Sequence, residues 1–295
     1  MKKLTIRDKT IIERVVNRFL PFSDFNYTSL FVWDVKNQTY YKLINGNLLI
    51  KFFDYITGRP IYSLVGSRNI ERTFEEIFNL YHIDKLEMVP EKTVRQLHRP
   101  KLNYEIVQCR DHYDYIYSIK DFLTFSGKHF GSKRNGINRL IKQYGGRITS
   151  VKIDIKHKDV KSNILKIFEM WERKKGVKRS SSKNELIALE RLLKYSRHFN
   201  LVAVGIFVDG KMIGFSIAEK VQYKYAIIHF EKADPDYYGV YEFITQQISI
   251  QLSNMGCKYV NWEQDLGLEG LRVSKLSYKP LRFLKKFSIK LINNG

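Results

Sequence analysis

Residues 201–233 constrain the fold more than any other stretch, because they read as three strands in immediate succession. LVAVGIFV and KMIGFSIAEKV are apolar, β-branched runs separated only by Asp209-Gly210. An Asp-Gly pair supplies the two positive-φ positions of a two-residue hairpin turn, so these runs pair antiparallel. YKYAIIHFEKA follows as a third strand, and Asp234-Pro235 leads to a helix over 239–255. Upstream lie a strand, RITSVKIDI, and two helices. The first helix, KSNILKIFEMWERKKG, puts Ile164, Phe168 and Trp171 on one face. The second, ELIALERLLKYSRHF, is reached through a basic, serine-rich loop, VKRSSSKN. A further short strand is expected at Tyr259-Val260.

Helix–helix–strand–strand–strand–helix–strand is the element order of an acyltransferase domain of the GNAT type. The first part of the chain reads as a rougher version of it. A helix ends before Pro21, and Ser23 is placed to cap a short aromatic helix running toward Trp33. TYYKLI and NLLIKFF form a hairpin through Asn45-Gly46, and PIYSLVG is extended. A helix over NIERTFEEIFNLY, the strand KLEMVP, a helix starting near Glu91 and the strand NYEIVQ follow. Residues 119–144 read as a helix in two pieces, broken over 127–131 and ended by Gly145-Gly146. The expectation is an α/β (α+β) chain of two tandem GNAT-like domains, with mixed sheets flanked by helices. They span 1–117 and 118–295, and the second carries the active site.

Charge narrows the partners. The 51 Lys+Arg outnumber the 30 Asp+Glu and leave a formal net charge of +21, while 44% hydrophobic residues are ample for packed cores. Such a field favours nucleic acid or an anionic membrane surface, although a lysine-rich composition with solvated charges is the plain alternative. The two cysteines, Cys109 and Cys257, match no metal spacing and fit a reducing compartment. No uncharged run is long enough to span a bilayer, so a cytoplasmic protein with at most peripheral membrane contact is expected.

Residues 261–280, NWEQDLGLEGLRVSKLSYKP, concentrate Glu263, Asp265, Glu269, Arg272 and Lys275 in a loop after the last strand. Glu231 ends the preceding long strand, so Glu231, Glu263 and Asp265 are candidates to bind an amino group or accept a proton. Arg272 and Lys275 would pair with them or hold an anion, and Tyr278 would offer a neutral hydroxyl. An internal ion network that fixes the loop is the structural alternative. Tyr238 and Gly239 sit where a GNAT domain receives a pyrophosphate at a helix N-terminus. Only Gly239 permits close approach there, and Asp236 and Glu242 oppose a phosphate. Lys128, Lys133, Arg134, Asn138, Arg139 and Lys142 form a basic run suited to tracking phosphates, or to simple solvation. His229, inside an apolar strand, reads as a core histidine. No metal site and no covalent nucleophile is evident.

PFSDFNYTSLFVW, SGKHFGSKRNGINRLIKQYG, EKADPDYYGVYEF and NWEQDLGLEGLRVSKLSYKP occur in an order that resembles the domain of unknown function 2156 family. That family is related to the C-terminal catalytic domain of phosphatidylglycerol lysyltransferases. The resemblance implies tandem GNAT-like domains and kinship with Fem-type enzymes, which move an aminoacyl group from tRNA to an amine. The lipid enzymes move it to a hydroxyl. KRNGINRLIKQYGGRI resembles the basic helix by which Fem-like proteins cross between domains. No counterpart of the membrane-spanning region that precedes the catalytic domain in the full-length lipid enzymes is expected in these 295 residues. The leading reading is an aminoacyl-tRNA-dependent transferase that needs no cofactor beyond its donor. The acceptor is an amine or hydroxyl of a peptide or a phosphatidylglycerol-like lipid. The rivals are an acetyl-CoA-dependent N-acyltransferase and a non-catalytic module that binds tRNA or another polyanion.

Overall fold

Asp209 and Gly210, at φ 50 and 76, turn the Leu201–Val208 strand back onto Lys211–Lys220, as the primed turn demands. The computed structural model describes residues 1–54, 57–97, 103–176 and 179–292, without the side chains of 179–181. Tyr225–Ala233 adds antiparallel to Lys211–Lys220, and Ile148–Lys152 adds antiparallel to Leu201–Val208. Tyr259–Asn261 adds parallel to Tyr225–Ala233 on its other edge, and Ile116 to Ser118 pair antiparallel beyond it.

Alternation along the strands separates the two faces of this sheet. Gly214 and Ala233 face Ile244 of the Val240–Asn254 helix, where a Cβ on Gly214 would lie 2.6 Å from the Ile244 Cδ1. Glycine thus lets the helix sit close on the sheet. The next pair, Phe215 and Lys232, points the other way, and Lys232 lies 4.0 Å above the Trp171 ring of the Lys158–Lys174 helix. The second helix of that layer begins at Arg179, so the expected loop VKRSSSKN is largely helical. Ser182 hydrogen-bonds the buried Glu172 of the preceding helix, a long-range contact that overrides the loop-like composition. Residues 177–178 of that segment lie outside the described residues.

The chain divides into two compact units. The first holds Met1–Tyr115, Glu263–Ser277 and Arg282–Gly295, and the second holds Ile116–Trp262 and Tyr278–Leu281. The boundary read at 117/118 falls inside one strand, Asp114–Ser118, and much of the sequence beyond 262 belongs with the first unit.

In the first unit Asn45 and Gly46 (φ 52 and 78) join Tyr40–Ile44 to Asn47–Phe53, with Pro60–Val65 alongside. The Ile70–Leu80 helix buries Phe74, Ile77 and Phe78 with Leu49, Leu64, Leu86 and Ile289. Ile289 arrives on the Lys286–Leu291 strand, which inserts between Lys85–Pro90 and Tyr104–Gln108, antiparallel to both. The short aromatic helix is Tyr27–Val32, and its cap is Asn26, whose side chain accepts from the Ser29 amide at 3.0 Å. Ser23 does not cap it, because both its amide and its hydroxyl donate to Asp114, each at 2.7 Å. The segment read as a loop over 261–280 contains a helix, Glu269–Ser277.

Candidate active site

In the second unit Tyr225–Ala233 and Tyr259–Asn261 share only three parallel pairs, the last being Ile227 with Asn261. The longer strand runs on to Ala233, so the sheet opens beside Glu231. On the strand's other edge the register shifts between Ile217 and Ala218, and His229 sits in that irregularity. A bulge bends a strand and re-aims the residues after it. His229 is buried, with Nε2 3.3 Å from the Glu219 Oε2, a satisfied core histidine as the sequence indicated.

Four residues of this unit converge near the opening. Tyr278 is buried among Phe122, Phe125 and Trp262, with the Trp262 ring edge-on at 4.9 Å. The Tyr278 hydroxyl meets the side chains of Thr245 and Glu242, and Glu231 acts on it electrostatically. Burial, then the Glu242 and Glu231 charges, push this phenol well above its ordinary value. It therefore remains a neutral donor. Lys133 Nζ lies 3.8 Å above the Tyr278 ring and 3.4 Å from the Glu242 Oε1. Lys133 thus turns inward, off the phosphate-tracking face read from sequence. Arg134 also turns in, donating to the carbonyls of Phe125 and Gly127. Lys128, Asn138, Arg139 and Lys142 remain exposed.

The N-terminus of the Val240–Asn254 helix is covered. Gly239 caps it at φ 85, and a Cβ there would lie 2.1 Å from the Gly136 carbonyl oxygen. Gly136 belongs to the Gly131–Tyr144 helix, which meets the cap backbone to backbone. Glu242 occupies the first turn, and Lys174 pairs with Asp234 at 2.6 Å and with Asp236 in the preceding loop. A helix N-terminus binds phosphate through its free amides and dipole. Here the Gly136 carbonyl lies against the capping Gly239, and the Glu242 carboxylate stands in the first turn.

Asp265 and Arg272 belong to the first unit. Asp265 is fully buried and accepts from Arg272 Nε and Nη2, both at 2.9 Å, from Arg110 Nη1 at 3.1 Å, from the Tyr115 hydroxyl at 2.5 Å and from the Gly267 amide at 2.9 Å. Burial pushes its carboxyl up, but the bonds from Arg272, Tyr115 and Gly267 outweigh this and bring it down to about 2. Arg272 also reaches the Asp111 Oδ1 at 2.6 Å. Arg110 stacks over Phe283 at 4.9 Å and Tyr115 at 5.4 Å. This is the ion network that the sequence left as the alternative to a proton acceptor: such a carboxylate does not take up a proton near neutral pH. Lys275 is buried beneath the Tyr115 ring, and Glu263, at φ 57, accepts the Tyr115 amide through its carbonyl. Glu231 lies in the other unit.

A second buried network escaped sequence reasoning. Lys286 is inaccessible to solvent and pairs with Asp114 at 2.8 Å and with Asp24. Gln264 donates to Asp24, and its Oε1 lies 2.8 Å from the His112 Nδ1. The one available signal was Asp24 within PFSDFNYTSLFVW, an acid set among residues destined for a core.

Residues 23–290 match the family model described as phosphatidylglycerol lysyltransferase, C-terminal. The chain belongs to that family. Among the solved structures similar to this chain is a conserved protein from Bacteroides thetaiotaomicron, 26% identical, with 99% of each chain covered and a TM-score of 0.86. L-PGS from Bacillus licheniformis shares the fold at a TM-score of 0.67 and 14% identity, covering 100% of this chain and 94% of that one. A protein from Mycoplasmoides gallisepticum is 25% identical over 225 residues, 76% of this chain and 70% of its own. Family membership relates the chain to the C-terminal domain of phosphatidylglycerol lysyltransferases, and its fold is the one seen in L-PGS. Among the described residues no helix is long and apolar enough to cross a membrane.

Proposed function

We propose that this chain transfers an aminoacyl group from a tRNA ester to an amine or hydroxyl acceptor, at the sheet opening beside Glu231. The observation that carries this reading is the contact of Gly136 with Gly239. It brings a second helix's carbonyl against the residue that caps the Val240–Asn254 helix, which argues against a CoA pyrophosphate there, since that group needs bare amides. An aminoacyl ester needs no pyrophosphate cradle and is already activated, so the protein has chiefly to position it and stabilise the oxyanion.

Glu231 holds the donor's ammonium or takes the proton of the attacking acceptor. As the new C–N or C–O bond forms and the ester C–O bond breaks, the departing ribose oxygen takes up a proton. The neutral Tyr278 hydroxyl, whose single proton faces Glu242 in the resting site, donates a hydrogen bond to the developing negative charge once that proton is redirected. Asp265 and Arg272 keep a scaffolding part, and Lys275 is buried beside them. The +21 charge supports tRNA as partner and peripheral contact with anionic lipid at the inner face of the membrane.

The test is incubation with pools of charged tRNA and a cell extract, following which labelled amino acid moves and to what. Stabilisation by acetyl-CoA and not by charged tRNA would overturn the donor assignment. Binding of tRNA with no transfer from any pool would leave a non-catalytic binding module.

A further inference from the structure

Tyr238 is 56% exposed, immediately ahead of the Gly239 cap, and its ring is held by the Arg139 guanidinium at 4.8 Å. Five residues further along Gly131–Tyr144, Tyr144 packs against Tyr237 with centroids 5.1 Å apart, and the Arg147 guanidinium lies 5.5 Å from the Tyr144 ring. Arginines and tyrosines therefore interleave along one side of the second unit. The acids of this neighbourhood have cationic partners: Asp234 and Asp236 pair with Lys174, Glu242 with Lys133, and Asp209 with Arg147. The exposed Arg139 and Lys142 keep the local field positive.

We propose that Tyr238 and Arg139, extended by the Tyr144–Tyr237 pair, form a platform on which unpaired RNA bases stack while Lys142 contacts the backbone phosphate. An exposed aromatic face flanked by arginine accepts any base, because every base presents a π-face, and basic side chains then follow the strand. Duplex RNA hides those faces and offers only phosphates and groove edges. The inference deepens the tRNA-donor reading and rests on it for the identity of the RNA. It says that the partner is gripped through a single-stranded end.

The experiment titrates the full chain with a single-stranded RNA of about 12 nucleotides and with the same RNA as a blunt duplex, over a range of salt. The single strand should bind more tightly. Tyr238→Ala should weaken it about tenfold with the salt slope unchanged, and Tyr238→Phe should restore it to within about twofold, since stacking needs the ring and not the hydroxyl. Lys142→Ala should reduce the slope by about 0.7, as one lost phosphate contact requires. Equal binding of duplex and single strand, or wild-type affinity in Tyr238→Ala, overturns the proposal. Failure of the donor reading is separable. Tyr238-dependent RNA binding without aminoacyl transfer removes that reading and leaves the platform, whereas transfer unaffected by Tyr238→Ala removes the platform alone.

Discussion

Arg272 grips Asp265 through two hydrogen bonds, from Nε and Nη2 to the two carboxylate oxygens, each 2.9 Å long. The carboxyl titrates at about 2 in the folded chain against an ordinary 3.8. A depressed carboxyl stabilises the fold above its unfolded value, and the contribution is lost as pH falls through the folded one. The first unit should therefore lose about 2 kcal/mol between roughly pH 4 and pH 2 from this group. Denaturant titrations across that range should show the loss in wild type and a much flatter response in Asp265→Asn. An equal slope in both would remove the argument.

Lys286 poses a different problem, because it neutralises two acids where water does not reach. Lys286→Met keeps the length of the side chain but strands Asp24 and Asp114, which should cost about 3–5 kcal/mol. Adding Asp24→Asn and Asp114→Asn to that variant should recover about half of the loss, since the penalty comes chiefly from uncompensated charge. Chemical denaturation of the variants decides it.

Gly239 and Gly256 share a left-handed backbone, at φ 85 and 79, but only Gly239 is crowded. Gly256→Ala should cost about 1 kcal/mol for the backbone alone. Gly239→Ala should cost about 2–4 kcal/mol, because its Cβ must also push the Gly136 carbonyl away. Comparison of the two Tm shifts isolates the close approach. Equal shifts would mean that the helix crossing yields easily and that the cover over the N-terminus is soft.

Tyr278→Phe preserves the aromatic cluster and deletes one hydroxyl. If that hydroxyl stabilises the oxyanion, kcat should fall about 100-fold with little change in Tm. Because the phenol is held well above its ordinary 10, the wild-type rate should show no alkaline decline from this group up to pH 10. Glu231→Gln should lower kcat/KM with the fold intact. Turnover unchanged in both variants would move the chemistry elsewhere.

The sequence disclosed whatever was local. The turns at Asn45-Gly46 and Asp209-Gly210 could be read because two residues determine them. The short strand after the Val240–Asn254 helix is expected at Tyr259-Val260, while its parallel pairing with Tyr225–Ala233 comes from the structure. The Glu269–Ser277 helix could not be read by periodicity, because it buries Lys275 and ties down Arg272 while Leu271, Val273 and Leu276 stay exposed. Arg110 gave no sign of its role, since its partner Asp265 lies 155 positions away. The charge-rich stretch over 261–280 stood out by its density of ionisable groups, yet its carboxylate at Asp265 is saturated with donors. The neutral hydroxyl expected of Tyr278 came to light through burial, which no sequence pattern displays.

The strand that carries Lys286 lies in the middle of the first unit's three-stranded sheet, between segments made far earlier. Asp114 therefore waits while 172 further positions are translated before its cation emerges. At typical synthesis rates that is on the order of ten seconds. During that interval nearly the whole second unit has left the ribosome and is free to condense, while the first to be translated is the last to be finished. The unit begun first is thus the one whose sheet is completed last in synthesis, and a nascent chain stalled shortly before Lys286 would present chaperones and proteases with an open three-stranded sheet.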